Sequence, residues 1–164
     1  MLDQLTNLVK EYAGDTIITN PAIPNENNEE AVQLASSSIF RGLQTSISSG
    51  NLADVQNLFN GGENDVAHSA ITQNIKGDFV TSLVQKFGLD HGKAGQIASA
   101  LIPIVLSKFI KKTNDPNDGS FDLSSILGSL TGGGNISDIL GKLTGGGDDK
   151  SGGGLMDKVK GMFN

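Results

Sequence analysis

Oxygen-bearing side chains are concentrated in one short stretch, TNDPNDGSFDLSS, which begins at Thr113. Carboxylate and amide oxygens are the ligands that Ca²⁺ prefers, so the stretch resembles a calcium-binding loop. An EF-hand loop with Gly119 at its sixth position, however, would place Pro116 at the third and Ser125 at the twelfth, where a ligand and a bidentate Glu are required. The stretch therefore predicts a turn in preference to a calcium site. The candidate calcium ligands are Asp115, Asn117, Asp118 and Asp122.

Runs of three glycines raise a second chemistry, the binding of phosphate by a glycine-rich loop. Such a loop requires the pattern G-x-x-x-x-G-K-[ST] between a strand and a helix. Only Lys150 and Ser151 form a Lys-Ser pair with glycines just upstream, and they follow Asp149 where the pattern needs glycine. We therefore interpret the glycines as flexible joints and expect no cofactor.

Residue types that carry catalysis are sparse. The chain has no cysteine, which excludes disulfides, thiolate catalysis and cysteine-bound zinc. Neither His68 nor His91 has a second His or a Glu at i+3 or i+4, so a metal site is weakly supported. No serine lies in a G-x-S-x-G context. We expect a protein that is not an enzyme.

Helical periodicity dominates the first 113 residues, where apolar side chains recur every three to four positions. No stretch alternates with period two over a useful length, so the predicted class is all-α. One pattern joins Val66 to Phe87 as a single helix, with Gly77 as the place for a bend and Gly88 as its end. Asn51 is predicted to cap the short helix before it.

The most apolar pattern, HGKAGQIASALIPIVLSKFIKK, follows Asp90 and is predicted to be the central helix. Asp90 is its expected N-cap, and Pro103 is expected to kink it. The positions predicted to be buried in it are Ile97, Leu101, Ile104 and Leu106. A face of small residues, which would let another helix approach closely, is formed by Ala94, Gly95, Ala98 and Ser99.

A repeated phrase follows a change of composition after Thr113. Residues 123–134 (LSSILGSLTGGG) and 136–147 (ISDILGKLTGGG) agree at nine of twelve positions. A looser apolar segment, LMDKVKGMF, occupies residues 155–163. The sequence therefore predicts a compact helical bundle over residues 1–113 and a Gly-rich tail over residues 114–164, with short amphipathic helices in these three segments.

Helices of two turns are too short to be stable alone in water, so the tail segments must dock on the body, on one another or on another molecule. Their apolar spacing is that of helices that bind a protein groove, and the third segment carries too little positive charge to favour a membrane surface. The predicted partner-binding residues are Ile126, Leu127, Leu130, Ile139, Leu140, Leu143, Leu155, Met156, Val159, Met162 and Phe163.

The charge of the chain limits its partners. The net charge is −6 and the isoelectric point is near 4.7, which argues against nucleic acid, because phosphate binding needs a positive field. The longest uncharged apolar segment, residues 94–107, is too short to cross a bilayer. The first residues lack the pattern of a signal peptide, so the expected location is the cytoplasm.

One long stretch, AGQIASALIPIVLSKFIKKTNDPNDGSFDLSSILGSLTGGG at residues 94–134, resembles the YidB-like group of small bacterial proteins of unknown function. The stretch LTNLVKEYAGDTIITNPAIPNENNEEA near the amino terminus is similar to the version found in Bacteroidota. The resemblance covers roughly the first 134 residues and implies a helical bundle followed by a variable glycine-rich tail. It implies no catalytic residue, because that family has no established catalytic motif. The chain also resembles, in size and character, the accessory subunit that plugs the periplasmic mouth of the type IX secretion translocon.

Three functional hypotheses follow. The first is a non-enzymatic helical interaction protein that docks on a partner, in its most concrete form a plug or gate of the type IX translocon, which would lie in the periplasm. The second is a cytoplasmic homo-oligomeric scaffold, whose tail packs on a neighbouring subunit. The third is a calcium-dependent adaptor or an enzyme of unrecognised type.

Overall fold

The computed structural model describes residues 2–115, 117 and 123–130 of the chain. Helices are the only regular secondary structure among these residues, which confirms the predicted all-α class. A π-helical turn (Gly14–Ile18) and a 3-10 turn (Asn25–Asn27) connect the first two helices. The α-helices are α1 (Leu2–Tyr12), α2 (Asn28–Ser48), α3 (Leu52–Asn60), α4 (Glu63–His68), α5 (Ala70–Phe87), α6 (His91–Thr113) and α7 (Leu123–Leu130).

The core is almost entirely aliphatic and is formed chiefly by α2, α5 and α6. The helix α6 packs against α5, α1 and α4, as expected of a central helix, and α2 packs against α5 and α1. Three phenylalanine rings are also buried in the core, Phe59, Phe79 and Phe109. Phe59 of α3 and Phe109 of α6 contact edge to face with their ring centroids 6.2 Å apart. Each fully buried Leu or Ile in this core contributes about 1.5–3 kcal/mol to folding.

Local hydrogen bonds explain where several helices begin and end. The carboxylate of Asp90 accepts a hydrogen bond of 2.9 Å from the Lys93 amide, which confirms the predicted N-cap of α6. Gly88 ends α5 as predicted, with a φ of +65° that few other residues adopt. Asn51 occupies the N-cap position of α3 as predicted, but its side chain makes no capping hydrogen bond.

The pattern from Val66 to Phe87 is two helices, and the prediction of one was wrong. The chain is extended at Ser69, whose hydroxyl oxygen accepts a hydrogen bond from the Thr72 amide at 3.1 Å and so caps α5. The Thr72 hydroxyl in turn donates to the Val66 carbonyl at 2.6 Å, which ties the end of α4 to the start of α5. The helix α5 then continues through Gly77.

Ile104 lies on the outside of α6, and the prediction that it is buried was wrong. Its side chain is 45% exposed, whereas Ile97, Leu101 and Leu106 are buried as predicted. The buried arc of α6 is fixed by packing on three sides, and Ile104 falls just beyond its edge, one turn from the exposed Ala100. The sequence could not show this, because α6 is apolar on nearly every side.

Two helices approach each other closely at Gly42, a position outside the small-residue face predicted in α6. A Cβ atom added at Gly42 in α2 would lie 2.2 Å from Cγ1 of Ile75 in α5, well inside van der Waals contact. Nothing lies within 4 Å of the corresponding position at Gly95. In the predicted face Ala94 and Ala98 are buried, but Ser99 is exposed.

By length and composition alone, α6 meets the criterion for a membrane-spanning helix, and it is the one helix of the described residues that does so. More than half of its apolar window is buried against the other helices. The core helix of a water-exposed bundle has the same composition, so this criterion does not distinguish the two.

Candidate functional site

The first copy of the repeated phrase is docked on the body as the helix α7. Its side chains Ile126 and Leu130 are 3% and 1% exposed, and they lie one turn apart on the same side of the helix. The helix packs against α2, where the side-chain amide of Gln44 donates a hydrogen bond to the Leu130 carbonyl at 3.3 Å. This contact is the one place in the described chain where a predicted partner-binding segment meets a defined surface.

Gln44, the residue of α2 that contacts α7, lies between two apolar residues on its own face of the helix. Phe40 precedes Gln44 by four residues and Ile47 follows it by three, so all three lie on one face of the helix. Phe40 and Ile47 are partly buried against the core. We refer to Phe40, Gln44 and Ile47 as the α2 face.

The body holds the α2 face in position from the other side of the helix. Gly42 and Leu43 are buried, and the contact of Gly42 with Ile75 brings α2 and α5 unusually close. Two exposed ion pairs lie at the amino-terminal end of α2. Lys10 on α1 lies 3.1 Å from the Glu29 carboxylate, and Lys86 on α5 pairs with Glu30. Such exposed pairs contribute little energy, so the packing positions α2.

The chemistry of the α2 face is that of helix recognition. Ile126 and Leu130 of α7, one turn apart, supply the buried apolar area. The side-chain amide of Gln44 donates a hydrogen bond to the carbonyl of Leu130, the last residue of the docked helix. This is how an amphipathic helix binds a protein groove. The capping hydrogen bond also satisfies a carbonyl that has no partner within its own helix.

The predicted calcium loop begins as an Asx turn. The Asp115 carboxylate accepts a hydrogen bond of 2.9 Å from the backbone amide of Asn117 and one of 3.2 Å from its side chain. This is the turn that the sequence predicts at these two residues. Asp118 and Asp122 lie outside the described residues. Within the part of the chain that is described, no group of three or more His, Cys, Asp or Glu residues could hold a metal ion.

The remaining predicted partner-binding residues have no described side chains. The backbone of Leu127 belongs to α7. The others lie beyond the described residues, and their role stays a prediction: Ile139, Leu140, Leu143, Leu155, Met156, Val159, Met162 and Phe163.

Two clefts run along the exposed side of α6. The larger, of about 450 Å³, lies between the π-helical turn and the first half of α6. The smaller, of about 270 Å³, lies beside Ile104. The sequence did not predict either cleft, since both depend on which side of α6 faces outward. The larger one is lined by Asp15, Thr16, Asn20, Pro21, Ala22, Lys93, Gln96, Ile97 and Ala100.

Titratable groups with shifted pKa values have structural causes. The amide of Lys93 stabilises the Asp90 carboxylate by a hydrogen bond and holds the pKa of Asp90 below its usual value of 3.8. Partial burial raises the pKa of Tyr12, and the neighbouring Glu11 adds to the effect. The ammonium of Lys108 lies 5.8 Å from the centre of the Tyr12 ring, a cation–π contact between α6 and α1.

Both histidines lie at the surface. His68 is the last residue of α4 and His91 is the first residue of α6, and each is exposed. They occupy the ends of different helices.

Comparison of the chain with protein-family models, with curated proteins and with solved structures gave no significant match.

Proposed function

We propose that this chain is a non-enzymatic helical interaction protein. Its tail holds it on a protein partner by placing short apolar helices in grooves of that partner. The observation that carries the proposal is the docking of α7. There a two-turn segment of the tail is a helix, and its anchors Ile126 and Leu130 are buried on a helix face.

The mechanism is steric. A body with a continuous aliphatic core keeps its shape and occupies space, while the apolar segments of the tail hold it at its place of action. The third segment is the best suited to a foreign groove, because Met156, Met162 and Phe163 combine adaptable side chains with a large apolar ring. Glycines between the segments let each one reach its own groove.

The most concrete form of the proposal is a plug or gate on the periplasmic mouth of the type IX secretion translocon. This form rests on the resemblance of the chain to small Bacteroidota proteins and to the plug subunit in size and character. In this form the body blocks the channel mouth, and the tail segments bind its wall.

Co-isolation from native membranes after chemical cross-linking tests this form. The full chain is expected to recover translocon components, and Leu155→Asp/Phe163→Asp is expected to lose them. The variant Lys158→Gln/Lys160→Gln changes the net charge by the same two units without altering the apolar face, so it is expected to behave as the unmodified chain. Recovery that is equal in all three, or that contains no translocon component, would contradict the plug.

A second candidate, a homo-oligomeric scaffold, is favoured by the exposed Ile104 beside the half-buried Pro103. Light scattering over a concentration series separates the two candidates. A scaffold requires a defined oligomer that Ile104→Asp dissociates, whereas the interaction protein is expected to stay monomeric without its partner.

A further inference from the structure

The two copies of the repeated phrase carry the same anchors. Residues 126 and 130, which are buried in α7, correspond to Ile139 and Leu143 of the second copy, and these residue types are identical. The copies differ at three positions, where Leu123, Ser125 and Ser129 of the first copy correspond to Ile136, Asp138 and Lys142 of the second. Ser129 is exposed. The α2 face meets the same two buried anchors in either copy.

We infer that residues 136–143 bind the α2 face in place of α7, so that the two copies alternate at one site of the same chain. In this second arrangement Ile139 and Leu143 are the buried anchors, and Gln44 donates its hydrogen bond to the Leu143 carbonyl. The inference does not depend on the identity of an external partner.

The chain is long enough for either arrangement. The five residues 131–135 separate the copies, a span of at most about 20 Å, so the second copy is always close to the α2 face when the first is docked. The first copy is tethered to α6 by the nine residues 114–122 and the second by the 22 residues 114–135. Because effective concentration falls roughly as the −3/2 power of tether length, the first copy is favoured about four-fold.

Alternation has a consequence for the whole tail. Whichever copy leaves the α2 face is replaced by the other, so the apolar surface of α2 stays covered. The released copy is then available to bind elsewhere.

Cross-linking in the native chain tests the inference, because the sequence contains no cysteine and any introduced pair is unambiguous. The first pair, Ser48→Cys/Thr131→Cys, reports docking of the first copy and keeps Gln44, since Ser48 is exposed one turn after Gln44 and residue 131 follows the carbonyl that Gln44 contacts. The second pair, Ser48→Cys/Thr144→Cys, reports docking of the second copy at the equivalent position. A third pair, Gln96→Cys/Thr144→Cys, gives the background rate for collision of the tail with an exposed part of the body.

A short bis-maleimide is expected to cross-link both α2-face cysteine pairs within single chains. The first pair is expected to react about four times faster than the second. Adding Ile126→Asp is expected to lower the cross-linking rate of the first pair and to raise that of the second pair by up to about five-fold. The reason is that the second copy then has no competitor for the α2 face. Adding Ile139→Asp is expected to reduce the second pair to the background rate. Ser129→Asp, which adds the same charge on the exposed side, is expected to change neither rate.

Two results would overturn the inference. The first is cross-linking of the second cysteine pair at the background rate both with and without Ile126→Asp. It would mean that the second copy does not bind the α2 face. The other is a product that links two chains only, which would assign the second copy to a neighbouring molecule. Loss of folding is distinguishable from both, because it would slow the first pair and the second pair together.

Discussion

At the scale of single residues, glycines in helices have opposite roles according to their surroundings. Gly42 is required because the Ile75 side chain occupies the space where a Cβ atom would lie. Gly77 in α5 is exposed, and no atom lies within 4 Å of the place where a Cβ atom would be. At this site glycine therefore only lowers the helix propensity. The two sites therefore form a matched pair for mutation.

Gly42→Ala is expected to lower the free energy of unfolding by about 3 kcal/mol, since the added methyl group forces α2 and α5 apart. Gly77→Ala is expected to raise it by about 0.5–1 kcal/mol. In Gly42→Ala/Ile75→Ala the added methyl group fills part of the space that Ile75 vacates, so the loss is expected to be smaller than the sum of the two single losses. Urea denaturation of these three variants, of Ile75→Ala and of the unmodified chain measures the differences, and an unchanged midpoint for Gly42→Ala would contradict the close approach.

Asp90 makes the stability of the chain depend on pH in one direction. Its pKa is depressed in the folded state, so its contribution is present above the unfolded pKa and is lost as the pH falls through the folded value. Asp90→Asn keeps a capping oxygen but does not titrate. The variant is expected to lose less stability than the unmodified chain as the pH falls below about 3.9. Thermal unfolding across this pH range measures the difference, and parallel curves would contradict a depressed pKa.

At the scale of elements, hydrogen bonds between side chains decide where the chain leaves a helix. The break between α4 and α5 depends on Ser69 and Thr72, whose hydroxyl groups lie 2.8 Å apart. Thr72 is fully buried, and its hydroxyl is the partner of the Val66 carbonyl. This short network replaces the helical hydrogen bonds that are lost at the break.

Ser69→Ala is expected to lower the free energy of unfolding by about 1 kcal/mol through loss of the cap. Thr72→Val is expected to lower it by about 1–3 kcal/mol, because it removes the hydroxyl that satisfies the Val66 carbonyl. The double variant is expected to lose less than the sum, since the two residues share one network. The control is Thr81→Val, whose exposed hydroxyl donates only within α5 and whose effect is expected to be within 0.5 kcal/mol. Additive losses in chemical denaturation would show that the network does not act as a unit.

The sequence predicted the helices but not their orientation. Periodicity identifies α1, α2, α5 and α6, because in each of them apolar residues recur at helical spacing over enough turns to exceed chance. The break at Ser69 was missed because apolar spacing continues across it. The outward side of α6, with Ile104 on it, was missed because contacts with α1, α4 and α5 decide which side is buried.

The apolar spacing of residues 123–130 indicated a docking helix with Ile126, Leu127 and Leu130 as its partner-binding residues. In the fold Ile126 and Leu130 are buried, and their role towards a partner stays a prediction. No local pattern indicated that α2 receives this helix. Gln44 lies 86 residues before Leu130 in the chain, and such a long-range pairing leaves no signal within either segment.

At the scale of the whole molecule, α2 has two roles. One side of it is part of the core, held against α5 and α1, and the α2 face receives an apolar segment of the tail. The docking of α7 on α2 is therefore an intramolecular example of the interaction that we propose between the tail and a partner. The central claim is that the apolar segments of the tail function by docking as helices.

Amide hydrogen exchange of the intact chain tests that claim most directly, when it is measured on the purified protein and again in extract of its native cells. The account predicts that amides in residues 155–163 exchange more slowly in the extract, and that Leu155→Asp/Phe163→Asp abolishes the difference while Lys158→Gln/Lys160→Gln does not. Equal and unprotected exchange of these residues in both conditions would contradict it.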